Sequence, residues 1–181
     1  MMVAKFPIVI AAVVGVMVAL ILLPSFNNNK STTSTDAQAQ LSLQYDRQQL
    51  SRREPNAVLA ATSADVLTIE NDGSAKYRKL VGAPDEKTFT ITSDEMRQLK
   101  GLILDTGFMT IPATDYTQKE GLANVTKYTI KVDANSSSNS NNSSNNEKTI
   151  NWVDPDSYNG TIPPIIINVG STLDSIISKY S

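Results

Sequence analysis

Read as a pattern of apolar and polar positions, the chain opens with one long unbroken apolar block and continues as a series of short patterned ones. Residues Phe6 to Leu23 carry no charge; Lys5 precedes them, and Pro24 and the polar run Asn27-Asn28-Asn29 close them. As a helix rising about 1.5 Å per residue the block reaches about 27 Å, close to the hydrocarbon thickness of a bilayer. It predicts a single retained membrane span, with residues 1–26 as the anchor. The competing reading is a cleaved secretory signal, whose apolar core runs to roughly 7–15 residues and ends in small residues at a fixed spacing. Here the core is longer, and Leu23-Pro24-Ser25 fits that spacing poorly. Lys5 and the amino terminus precede the span and only Lys30 follows closely, so the N-terminus is expected inside and the remainder outside. The expectation is a single-pass protein of the plasma membrane; secretion after signal cleavage is the alternative.

Residues 27–40 are rich in Asn, Ser, Thr and Gln and bury nothing, which predicts a flexible polar stalk. The folded domain is expected over 41–181. Leu41, Leu43 and Tyr45 alternate with Ser42, Gln44 and Asp46, the period of a half-buried strand, although the good helix formers in Ala37 to Leu50 keep a helix as the alternative. Arg47 to Thr62 reads as a loop broken at Pro55, with Arg47, Arg52 and Arg53 as a solvated rim and a grip on an anionic partner as the alternative. From Asp65 to Val81 the pattern is a hairpin, turning at Asn71-Asp72-Gly73 where Asp-Gly supplies positive φ. A strand at Thr88 to Ile91 follows. Thr92-Ser93-Asp94-Glu95 has capping-box spacing, after which Met96, Leu99, Leu102 and Ile103 share one helical face; Gly107 gives the left-handed stop, with Phe108 and Ile111 beyond it.

After a loop from Pro112 to Asn124, Val125, Tyr128, Ile130 and Val132 predict one strand and Thr149 to Val153 another. The Asn/Ser tract 134–147 between them predicts a disordered insertion, which costs little because loop-closure entropy grows only logarithmically. Pro163-Pro164 starts a terminal helix with Val169, Leu173, Ile176, Ile177 and Tyr180 on one face. The fold class is therefore α+β: an antiparallel sheet of about five strands with two helices on one face, in the order strand, hairpin, helix, hairpin, helix.

Composition narrows the chemistry. The chain has neither histidine nor cysteine, which removes disulfides, thiolate and imidazole catalysis, the Ser-His-Asp triad, and zinc, haem or iron–sulfur ligation through those residues. Carboxylate, lysine, tyrosine or serine chemistry survives, as does oxygen-only binding of calcium or magnesium. A formal charge of −2 gives no reason to expect nucleic acid. Asp154 to Gly160 is oxygen-rich, but Gly160 stands one place late for a calcium loop and Ile165 replaces the bidentate acid, so it reads as a turn and no metal or cofactor is assigned. Trp152 alternates with Ile150 and reads as core or rim packing, with an exposed binding aromatic as the alternative. Asn-x-Ser/Thr acceptors stand at Asn29, Asn124, Asn135, Asn141, Asn142 and Asn159. In the span, Ala11, Gly15 and Ala19 line one helix face where another membrane helix can approach.

Leu41-Ser42-Leu43, Leu67-Thr68-Ile69, the turn Asn71-Asp72-Gly73, the capped start Ile91-Thr92-Ser93-Asp94-Glu95 and the stop Gly107-Phe108-Met109 follow one another in a recognisable order. In this order the chain resembles an uncharacterised family of small extracytoplasmic and lipoprotein-type domains, over roughly Leu41 to Tyr180. The resemblance implies the fold and an exterior location; the family has no established activity to transfer. Its members often carry cysteines in the loop after the first strand, and this chain has none there. The functional expectation is a non-catalytic, membrane-anchored interaction module or accessory subunit of a membrane complex. The alternative is an enzyme, or an enzyme inhibitor, using carboxylates such as Asp94, Glu95 or Asp154. Of these, Asp94 and Glu95 already read as helix-capping charges.

Overall fold

The computed structural model describes residues 39–54, 57–136 and 146–181. The apolar block Phe6 to Leu23, with Ala11, Gly15 and Ala19, lies outside them, as do Asn29, Asn141 and Asn142. Among the described residues no helix is long and apolar enough to cross a membrane.

The domain is α+β, with six antiparallel strands and two helices. Strands β1 (Ala39–Ser51), β2 (Ala60–Ile69), β3 (Ser74–Lys79) and β4 (Asp85–Thr90) precede helix α1 (Ser93–Lys100); β5 (Asn124–Ser136), β6 (Asn146–Val153) and helix α2 (Pro164–Tyr180) follow. The strands lie in the order β4-β3-β2-β1-β5-β6, so the first strand sits near the centre and both hairpins grow outward from it. The expected count of about five strands becomes six, because the Thr88 to Ile91 pattern belongs to a full partner of β3 in which Lys76 faces Thr88 and Ala75 faces Phe89.

The expected loop at Arg47 to Thr62 is shorter than its sequence suggests. β1 keeps its register on β5 from Ala39 through Ser51, and β2 begins at Ala60. The reason is parity: Arg47 stands in phase with Leu41, Leu43 and Tyr45, so the strand continues and carries the arginine inward instead of leaving it on a rim. β1 also begins inside the predicted stalk, at Ala39. The two strands flanking the Asn/Ser tract reach into it as well, β5 to Ser136 and β6 from Asn146.

Alternation gives the sheet two unlike faces. Leu41, Leu43, Tyr45, Leu67, Ile69, Ile130, Val132 and Ile150 are buried against the helices. α2 contributes Ile166, Val169, Leu173, Ile176 and Ile177, and α1 contributes Met96 and Leu99, all within one cluster. Each such fully buried aliphatic side chain contributes about 1.5–3 kcal/mol. Around α1 the expected capping box forms: Thr92 Oγ1 accepts from the Glu95 amide at 3.2 Å and Glu95 Oε2 accepts from the Thr92 amide at 2.8 Å. α1 itself stops at Lys100, where a π-helical turn over Gly101–Asp105 takes over and keeps Ile103 buried. Gly107 then reverses the chain at φ 87°, which swings Phe108 into the core.

Candidate functional site

The carboxylates that the sequence offered, Asp94, Glu95 and Asp154, each have partners within the fold. Asp94 is exposed and pairs with Arg97 at 2.7 Å on its own helix. Glu95, besides capping α1, accepts from Lys179 Nζ at 2.8 Å and from the Tyr180 hydroxyl at 2.9 Å, fastening the end of α2 to the start of α1. The hydrogen bond from Lys179, joined by those from Thr92 and Tyr180, holds the Glu95 carboxyl down at about 2. Asp154 accepts the Thr126 amide at 3.0 Å and the Tyr128 hydroxyl at 2.9 Å, which closes the turn after β6 onto β5. The Asp154 to Gly160 segment is the expected turn, with a single 3-10 turn at Pro155–Ser157. Asn124 and Asn159 are exposed, and Asn135 lies in β5.

Trp152 is 3 % exposed and lies on the helix side of the sheet. Its ring meets α2 at Gly170, where an added Cβ would stand 2.9 Å from Trp152 Cζ2; the glycine is what lets the helix approach. Trp152, Tyr128 and Tyr45 form a near-parallel aromatic group. Tyr128 and Trp152 are 5.1 Å apart between ring centres and 15° between planes, Tyr45 and Tyr128 are 6.3 Å and 4°, and Tyr45 and Trp152 are 6.1 Å and 18°.

Beside these rings sits a charged network that the sequence reading missed. Arg47 from β1 makes a two-pronged contact with Asp65 from β2, Nε to Oδ1 at 3.2 Å and Nη2 to Oδ2 at 2.8 Å, and its Nη1 reaches Asp174 Oδ1 of α2 at 3.1 Å. The Tyr45 hydroxyl donates to the same Asp174 oxygen at 3.1 Å, and the Tyr77 hydroxyl donates to Asp65 at 3.3 Å. Burial raises the Asp174 carboxyl above the usual carboxylate range in spite of Arg47. Burial opposes the Arg47 charge, but the bonds and charge of Asp65 and the charge of Asp174 more than offset it and hold the guanidinium protonated. Burial, then the neighbouring aspartates, pushes the Tyr45, Tyr77 and Tyr128 phenols up, so all three remain neutral donors. The missed signal was positional. Arg47 and Asp65 stand in phase with the apolar residues of their strands, and Asp174 lies one turn after Gly170 on the buried side of α2. Between α2 and the β5–β6 pair, the aromatic group, Asp154 and Asp174 border a cleft of about 140 Å³.

The other face of the sheet is mostly polar, with Leu50, Val66, Val125 and Val153 as apolar positions on it. One rung runs through all six strands as Thr88, Lys76, Thr68, Gln44, Lys131 and Thr149, each residue paired with the next. At about 4.8 Å per strand this rung is about 24 Å long. Lys76, Lys131, Thr88 and Thr149 are exposed, and Thr68 and Gln44 are half-buried between them. Residues 115–118 border this face along β6: the Tyr116 amide donates to the Asn151 carbonyl at 3.0 Å, and the Asn151 side chain donates to Asp115 at 2.7 Å. The resulting hollow, about 280 Å³, is floored by Gln48, Lys127, Thr129 and Asn151. Among the described residues, no group of three or more acidic side chains is placed to hold a metal ion. Comparison with protein-family models gives no match for the chain, and no curated protein matches it.

Proposed function

We propose that this chain is a membrane-anchored extracytoplasmic interaction module, non-catalytic, that engages a partner across the uncovered polar face of its sheet. The observation that carries the reading is the six-residue rung from Thr88 to Thr149, with the hollow beside it. An antiparallel sheet with one packed face and one solvated face is ordinary. Here, though, the solvated face presents a broad array of amine, amide and hydroxyl groups fixed by a rigid backbone, and residues 115–118 wall it along β6. The positions of Glu95 and Asp154 support the non-catalytic side of the reading, since each carboxylate is engaged in holding elements together, and Asp94 is an exposed side chain paired with Arg97 on its own helix. The anchor is Phe6 to Leu23, oriented with the domain outside, and the Ala11, Gly15, Ala19 stripe is the proposed contact with another membrane protein. The resemblance to small extracytoplasmic domains belongs to the same reading.

The test places a photo-crosslinking residue at Gln44 or Lys131 in the full-length protein in its native membranes, with Asn168 and Ser175 on the exposed side of α2 as controls. The reading expects a discrete cross-linked species from the sheet positions and none from the helix. Equal products from both faces, or none from the sheet, would overturn it. Loss of the species when Ala11, Gly15 and Ala19 are all replaced by leucine would show that the partner is engaged through the span.

A further inference from the structure

The geometry points to a second binding site on the opposite side of the sheet: the cleft between α2 and the β5–β6 pair takes a small methylated ammonium group. The site is independent of the partner surface proposed above, and neither result decides the other.

The cleft's walls select the ligand class. Its volume of about 140 Å³ is well below the roughly 300–1,000 Å³ of pockets that hold a whole drug-sized ligand, so it accommodates a head group. Three aromatic residues, Tyr45, Tyr128 and Trp152, line it; Tyr128 is half-buried and offers the accessible ring, with Tyr45 and Trp152 buried beside it, and the face of such a ring attracts a cation through its quadrupole. Both carboxylates at the cleft, Asp154 and Asp174, accept a hydrogen bond from one of those same tyrosines. Counting Asp65 behind them, the cluster sets three carboxylates against the single guanidinium of Arg47, so an anion is repelled and a cation is drawn in.

The hydrogen-bond pattern then narrows the cation. Among the described residues no group of three acidic side chains is placed to hold a metal ion, and the walls of this cleft are largely aromatic and aliphatic. A primary ammonium brings three N–H groups that each need an acceptor. Each oxygen of Asp154 already accepts one bond, from the Thr126 amide or the Tyr128 hydroxyl, and Asp174 Oδ1 accepts two, from Tyr45 and Arg47, so a primary ammonium would have to share these acceptors, with Asp174 Oδ2 the one carboxylate oxygen at the cleft not already bonded. A methylated ammonium carries its charge behind methyl groups that pack on the rings and Ile167, and it asks for no acceptor. Gly170 and Ser171 keep the helix wall low where the group enters.

The site contains its own reporter, because Trp152 is the only tryptophan in the chain. Full-length protein in a nonionic maltoside detergent is titrated with choline chloride and with tetramethylammonium chloride, against sodium chloride at equal ionic strength, and Trp152 fluorescence is followed. The neutral isostere 3,3-dimethylbutan-1-ol tests charge against shape. A saturable change with both cations is expected, and the isostere should bind at least about tenfold more weakly. Asp174→Asn and Tyr128→Leu should each weaken choline about tenfold. Ser171→Leu, at the exposed rim and outside the charged network, should block binding with circular dichroism unchanged, which keeps the test valid if the other two variants fail to fold. Phosphatidylcholine vesicles form the last arm: a tighter response than to free choline assigns the ammonium to a lipid head group, and a weaker one assigns it to a soluble ligand. No saturable change in the folded protein, an equal response to the isostere, or an unaltered response in folded Ser171→Leu would overturn the assignment.

Discussion

Replacing Arg47 by methionine should destabilise the domain far more than loss of a surface ion pair would. The Asp65 side chain is only 7 % exposed, and Arg47, itself 29 % exposed, supplies both of its charge-assisted bonds. Exposed pairs contribute about 0–1 kcal/mol, but removing one partner of a buried pair leaves an uncompensated charge and costs about 3–5 kcal/mol. In Arg47→Met only the Tyr77 hydroxyl, at 3.3 Å, still serves the Asp65 carboxylate. Asp174 also loses a partner, but its side chain is 37 % exposed and water replaces the bond. Against a total stability of about 5–15 kcal/mol this is a large fraction, and it should lower the urea midpoint by on the order of 2 M. Urea unfolding followed by far-ultraviolet circular dichroism measures it. The double variant Arg47→Met/Asp65→Leu removes both charges together and should recover all but about 1 kcal/mol, the remainder being the Tyr77 hydroxyl left without an acceptor. A single-variant cost below about 1 kcal/mol, or a double variant no better than the single, would show that the Asp65 carboxylate is solvated and that the network does not hold β1 to β2 in this way.

Gly170→Ala should lower stability by about 1–3 kcal/mol, although alanine is the better helix former by about 1 kcal/mol, because its Cβ would overlap Trp152. Adding Trp152→Phe should restore most of the thermal midpoint; a neutral or stabilising Gly170→Ala would refute the close approach. The clasp at Glu95 predicts a pH dependence. Its carboxyl lies at about 2 in the fold against an ordinary 4.5, so its contribution is complete above about 4.5 and is lost as pH falls towards 2. The difference in thermal midpoint between the native chain and Glu95→Gln should shrink over that window, and a difference that stays constant with pH would contradict it. In a host that glycosylates asparagine, the exposed Asn124 and Asn159 should carry glycans, read as a mass increase that falls when both are changed to glutamine.

Signals confined to neighbouring residues were legible in the sequence. The capping box at Thr92 and Glu95, the Asp72-Gly73 turn, the Gly107 stop and the terminal helix after Pro164 all stand where local chemistry put them. Gly73 sits at φ 84°, and Asp72 Oδ1 accepts from the Ser74 amide at 2.8 Å, which are the features that make Asp-Gly a turn signal. The buried charges were not legible, because each looks like a surface residue until its partner is known. Arg47 and Asp65 are eighteen positions apart, and Arg47 and Asp174 lie 127 apart. Strand parity alone already placed Arg47 on the side of Tyr45. Following that parity past the apolar run, instead of ending the strand at the first basic residue, would have extended β1 to its true length and pointed the arginine inward. The glycine at 170 was similarly silent, since a helical glycine acquires meaning only from the tryptophan ring that fills the place of its side chain.

These two concealed features together fix where α2 lies. Gly170 and Asp174 are four residues apart and so occupy one face of the helix a single turn from each other. One is held against the sheet by shape, through Trp152, and the other by directional bonds, through Tyr45 and Arg47. The aliphatic residues of α2 alone would tolerate a slide, because an isoleucine moved by one turn of about 5.4 Å still meets other aliphatic side chains. Such a slide would drive a bulkier residue onto Trp152 and leave Asp65 and Arg47 without the Asp174 end of their network, so both penalties fall together. The register of the helix is therefore set by its polar and smallest residues, while its apolar residues supply most of the attraction. The same pair brackets the aromatic cleft, which means that its width and its carboxylate are fixed before any ligand arrives. A ligand entering it meets a preorganised site, and little of its binding free energy goes into ordering the protein.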